Sequence, residues 1–100
     1  MSEVRELPLS YVLNDVATGD GHSWQQEFRW LWTHDTGKML TLVQSIAENG
    51  IYKAIEIGKP AGGDPEGRPR MWGGHHRVAA AVALQLPTIP VRFYLEAAAA

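Results

Sequence analysis

The run Trp72-Gly73-Gly74-His75-His76-Arg77 concentrates more chemistry than any other stretch of the chain. It reads as the end of a strand, a turn and the start of a helix. The first amides of a helix have no partner inside it, and the positive end of the helix dipole stands behind them. A phosphate or similar anion satisfies both features. Gly73 and Gly74 free the backbone and let a ligand come close. His75, His76 and Arg77 add donors, and the Arg77 guanidinium is a planar fork that matches phosphate oxygens. Cationic side chains in a first helical turn oppose the dipole, a local cost that a bound anion would offset. The same residues also fit a plain tight turn followed by a solvated arginine, so spacing alone leaves both readings open.

His75 is the candidate catalytic acid or base, because imidazole titrates near neutrality. Glu48 is the candidate catalytic carboxylate, although a helical glutamate is most often a solvated one. His75 and His76 are adjacent, so they point to different sides and form no metal pair of helical spacing. Zinc there would need His22, His34 or Asp35, and nothing in the sequence brings those near. No metal ligand is assigned. Cysteine is absent, which excludes disulfides, thiolate metal sites and a cysteine nucleophile.

Elements on either side must position this turn. Val4 to Leu9 alternates as a short strand, and Pro8 opens a turn or short helix through Tyr11, Val12 and Leu13. Residues 14–23 are turn-rich and read as a loop. Ser23 is placed to cap a helix whose apolar face is Trp24, Phe28, Leu31 and Trp32. Asp35 reads as the next cap, with Met39, Leu42, Val43, Ile46 and Ala47 at helical spacing and Gly50 as the stop. Ile55 and Ile57 share one face of a strand, residues 58–69 form a hairpin-type loop, and Arg70 to Trp72 lead into the glycines. His75 to Leu86 is helical in composition and ends at Pro87, and Ile89 to Leu95 is a last strand. The alanines of this helix suit close packing.

One hundred residues make one domain, expected over residues 1–96. Residues 97–100 are an alanine tail, compatible with a cloning remnant, and are assigned no function. Nothing resembles a membrane span or a secretory signal, so a cytoplasmic location is expected. The net charge is −2, and Arg68, Arg70 and Arg77 are the one basic grouping worth noting. Tight DNA coating is therefore not expected, and any DNA contact would be weak or indirect. Trp24, Trp30 and Trp32 lie in one stretch. Trp30 falls off the apolar face and is expected to be exposed, where it could meet a protein partner.

Three segments, in order, resemble the ParB/sulfiredoxin superfamily: the strand ending Pro8-Leu9, the helix Lys38 to Ile51, and Trp72 to Ala80 followed by Thr88-Ile89-Pro90. The second is similar to the ParB pattern Leu-x-x-Ser-Ile-x-x-x-Gly-Ile and to the sulfiredoxin pattern Lys-x-x-Ser-Leu-x-x-Thr-Ile. The third is similar to sulfiredoxin Phe-Gly-Gly-Cys-His-Arg and to ParB Gly-x-x-Arg-x-x-Ala. The resemblance runs from about Val4 to Phe93 and implies a small α/β (α+β) domain, a short mixed sheet packed by three to four helices. It implies binding of a nucleotide, a triphosphate in the family, with ATP, CTP and ADP unresolved and Mg²⁺ accompanying it. By position, Gly73, Gly74, His76 and Arg77 match the phosphate turn, and Lys38, Thr41 and Ser45 match helix positions that approach the nucleotide.

Departures limit what carries over. His75 stands where sulfiredoxins have their catalytic Cys, so sulfiredoxin chemistry is not expected. Ala54 stands where ParB proteins often have Pro, and Gly73 where they often have Asp. One hundred residues leave no room for the helix-turn-helix and dimerisation regions of a partition protein. The segment Trp24–Asp35 resembles compact ParB-like domains of actinobacterial phages, for which a nuclease role is inferred. The expectation is thus a nucleotide-binding domain with phosphotransfer, NTPase or nuclease activity. The alternative is a non-catalytic module that binds a host or phage protein.

Overall fold

The computed structural model describes residues 3–58 and 67–94. In chain order the elements are β1 (Val4–Pro8), α1 (Leu9–Asp15), α2 (Trp24–His34), α3 (Thr36–Asn49), β2 (Ile55–Gly58), β3 (Arg70–Gly73), α4 (His75–Ala83) and β4 (Thr88–Tyr94). The four strands form one mixed sheet in the order β1-β4-β2-β3. β1 runs antiparallel to β4, β3 antiparallel to β2, and β2 parallel to β4. The hairpin β2–β3 therefore feeds α4, which crosses back over the sheet before β4 pairs with β2. This is the expected small α+β domain.

Alternation in the strands makes one face of the sheet apolar. Ile55, Ile57, Met71, Ile89 and Val91 are buried there against Leu9, Val12 and Val16, Trp24 of α2, and Val78 and Ala81 of α4. Removing an Ile or Val side chain from water stabilises by about 1.5–3 kcal/mol, so these residues fix the register. On the opposite face Trp72 stacks on Tyr94, ring centroids 5.3 Å apart. Gly58 makes room for that indole: a Cβ there would stand 1.9 Å from it.

A second apolar cluster joins three helices through Leu31, Met39, Ile46, Ala79 and Ala80. Helix α4 thus packs on two sides, Val78 and Ala81 toward the sheet and Ala79 and Ala80 toward α2 and α3. Its run of alanines allows both approaches at once.

Several boundaries differ from expectation. Residues 14–23 are not wholly loop, because α1 extends to Asp15 and Ala17 makes an isolated bridge to Arg70. Ala47 is exposed despite its helical spacing. Helix α4 ends at Ala83, before Pro87 can act. Gln85 adopts φ 57°, its amide donates to the Val82 carbonyl, and the Leu86 amide donates to Ala81. That is a Schellman stop with Gln in place of the usual glycine. The loop 59–66, Leu95 and the alanine tail lie outside the described residues.

Candidate functional site

Helix α4 begins without a cap. Gly74 holds the N-cap position at φ 105°, and no side chain bonds the first-turn amides. The first helical bond runs from the Val78 amide to the Gly74 carbonyl, so the amides of His75, His76 and Arg77 precede the helical ladder. Glycine is needed at 74 twice over. Its backbone is left-handed, and a Cβ would come 2.7 Å from Cγ2 of Ile55. At Gly73 a Cβ would stand 2.8 Å from Oε1 of Glu56, so that carboxylate lies directly over the turn.

Arg77 sits in the first turn of α4, partly buried, and its Nε is enclosed with no hydrogen-bond partner. Burial pushes its guanidinium below the ordinary arginine value, and the charge of Glu56 opposes that shift. Glu56 also accepts a hydrogen bond from the Tyr94 hydroxyl at 3.3 Å. Sequence reasoning missed Glu56, because a polar residue between Ile55 and Ile57 looks like the solvent side of a strand. Only the register opposite Gly73 puts it at the turn.

His75 and His76 leave the turn in different directions, as their adjacency requires. Nε2 of His76 donates to Oδ2 of Asp35 at 3.0 Å, joining the starts of α3 and α4. Nε2 of His75 donates to the Thr18 carbonyl at 2.6 Å. A carbonyl only accepts, so Nε2 carries the hydrogen in this bond and Nδ1 is the ring nitrogen left for other contacts. Trp24 lies beside the His75 ring, centroids 6.1 Å apart.

Asp35 occupies the N-cap position of α3 as expected, yet its side chain makes no cap bond. It is committed to His76 instead. Lys38, Thr41 and Ser45 follow on one stripe of α3, with Lys38 and Thr41 exposed and Ser45 partly buried. The structure does not bring Glu48 to the turn. It is exposed one residue from the end of α3, about 20 Å along the helix axis from Asp35. The bland reading of a solvated helical glutamate therefore replaces the catalytic one.

The loop that receives His75 is held firmly. Ala17 exchanges backbone bonds with Pro69 and Met71, and Trp24 Nε1 donates to the Val16 carbonyl at 2.8 Å. Beyond Thr18, the side chains of Asp20, His22 and Glu27 converge, each with a ligating atom within 4.8 Å of the others. The sequence offered His22 as a zinc ligand only with the His75–His76 pair and gave no sign of Asp20 and Glu27 as its partners, because the loop and α2 meet only in the fold.

No protein-family model matches the chain, and no curated protein matches it. Its fold recurs among solved structures. Sulfiredoxin from Arabidopsis thaliana superposes with a TM-score of 0.60 at 23% identity, over 93% of this chain and 85% of that one. The C-terminally truncated chromosome-partitioning protein ParB from Caulobacter crescentus, solved with CTP-gamma-S, superposes with a TM-score of 0.59 at 21% identity. That match covers 98% of this chain and 47% of the ParB chain. The fold is thus the ParB/sulfiredoxin-like fold. Among the described residues no helix is long and apolar enough to cross a membrane.

Proposed function

We propose that the chain binds a nucleoside triphosphate, with its phosphates on the Gly73–Arg77 turn. The observation that carries this reading is the uncapped start of α4 with the enclosed, partnerless Nε of Arg77 in its first turn. A partly buried cation beside uncapped amides favours an anion there. His76, held by Asp35, adds a ring beside the same amides. Lys38, Thr41 and Ser45 offer polar groups for the rest of the nucleotide. A like fold solved with CTP-gamma-S supports a triphosphate as the ligand. Asp35 and Glu56 are the carboxylates beside the turn that suit an accompanying Mg²⁺, which would neutralise phosphate charge. For phosphotransfer or hydrolysis, Nδ1 of His75 is the acid–base group on offer.

Thermal shift with ATP, CTP, ADP and GTP, with and without Mg²⁺, tests this. A nucleotide at 100 times its dissociation constant stabilises by about 2.7 kcal/mol, which for a domain this size raises Tm by roughly 10 °C or more. No shift with any of the four rejects the reading. Plasmid nicking that is lost on Arg77→Ala would add nuclease activity to it.

A second reading has its own observation. Trp30 is 46% exposed, lies tilted against His34 with centroids 4.7 Å apart, and faces a groove shared with His22, Gln26 and Arg29. An exposed indole over such a groove suits a protein contact. Trp30→Ala that left every captured partner in place would remove its support.

A further inference from the structure

The geometry points to a divalent transition-metal site at Asp20, His22 and Glu27, of the kind that takes Zn²⁺, separate from the phosphate turn. The three residues supply one imidazole nitrogen and two carboxylates. Nδ1 of His22 lies 3.1 Å from Oε1 of Glu27 and 3.8 Å from Oδ1 of Asp20. For metal–ligand bonds of about 2.0–2.2 Å, the edge of a coordination tetrahedron is about 3.3–3.5 Å. The two measured edges bracket that value, and all three ligating atoms lie within 4.8 Å of one another.

Burial supplies an independent argument. The side chain of Glu27 is only 7% exposed, and it faces the carboxylate of Asp20 rather than an Arg or Lys. Glu27 also meets the His22 imidazole, whose nitrogen would itself ligate, and His75 lies within electrostatic reach. A buried carboxylate aimed at a second one calls for a proton or a cation between them. The imidazole decides the class of cation. Mg²⁺ and Ca²⁺ prefer all-oxygen shells, whereas nitrogen mixed with carboxylate suits Zn²⁺ and its neighbours.

The surrounding bonds hold the group in place. The Thr18 hydroxyl, itself buried, lies 2.7 Å from Oδ1 of Asp20 and 2.8 Å from the His22 carbonyl. The His22 amide donates to Oδ1 of Asp20 at 3.2 Å. Such outer contacts orient metal ligands. Asp20 and His22 are about two-fifths exposed, which leaves an entry path and open positions for water. The Thr18 carbonyl, on the same loop, holds His75, so the metal would stand beside the start of α4.

The test is titration of the untagged full chain, stripped with EDTA, with ZnCl₂ and separately with CoCl₂. One equivalent should bind with micromolar or tighter affinity, and the Co²⁺ form should show visible absorption from an ordered nitrogen–oxygen shell. Asp20→Asn, His22→Ala and the isosteric Glu27→Gln should each weaken Zn²⁺ at least about tenfold, and His34→Ala should not. Asp20 and His22 lie at the surface, so their variants keep the test valid if Glu27→Gln fails to fold. No saturable Zn²⁺ binding, or binding unchanged in Asp20→Asn and His22→Ala, overturns the site and leaves a shared proton as the explanation of the buried pair. Nucleotide binding scored with Mg²⁺ and no added Zn²⁺ separates this result from the fate of the phosphate turn.

Discussion

The starts of α2 and α4 are opposites. At α2, Ser23 accepts the Gln26 amide at 3.1 Å, the Gln26 side chain returns to the Ser23 amide at 2.8 Å, and Glu27 places an acid near the dipole. The capping box is closed in both directions, and an acid stands in the first turn. At α4 neither holds. The cap is a left-handed glycine, no acid stands in the first turn, and two histidines and an arginine occupy it. Helix α3 lies between the two, since it has a capping residue, Asp35, whose carboxylate has gone to His76. One terminus is closed for stability and another is left open at a cost in stability. That asymmetry is what a ligand-binding terminus requires.

Four substitutions test the contrast. The largest effect is expected from Gly74→Val, which forces a branched side chain into a left-handed backbone and against Ile55. Strain and overpacking together should cost about 3 kcal/mol, seen as a fall in Tm of more than roughly 10 °C. Next is Arg77→Ala. It should reduce nucleotide affinity about tenfold or more by calorimetry, equivalent to about 1.4 kcal/mol, while denaturant midpoints show the fold intact. Ser23→Ala follows, and should cost about 1 kcal/mol of stability with nucleotide affinity unchanged. If it altered nucleotide binding instead, the division between a structural and a functional terminus would be wrong.

Asp35→Asn is expected to give the smallest change in stability, below about 0.5 kcal/mol, because no cap bond is lost. It should weaken nucleotide binding a few-fold by releasing His76. A stability loss as large as that of Ser23→Ala would mean that Asp35 caps α3 in solution, and the contrast would shrink to α2 against α4.

Much of this was legible in the residues. The cap Ser23, the apolar stripe Met39, Leu42, Val43 and Ile46, and the stop at Gly50 act within one or two helical turns. Gly74, followed by basic residues, marked the open terminus for the same reason. The end of α4 was misread because Pro87 is the louder signal, while Gln85 stops the helix through a conformation unusual for a non-glycine residue. Glu48 was misplaced because helical composition says nothing about which end of α3 meets the turn.

The sequence by itself determined where each helix starts, which face each strand buries and which turn lacks a cap. These depend on interactions between residues a few positions apart, and spacing encodes them. Only the tertiary structure decided what the polar side chains do. The bond from His76 to Asp35 spans 41 positions and that from His75 to Thr18 spans 57. Glu56 reaches Gly73 through strand register, and Glu27 meets Asp20 and His22 because a loop folds back along β3. Such contacts depend on how separate elements dock, and docking is set by the apolar faces rather than by the polar residues it brings together.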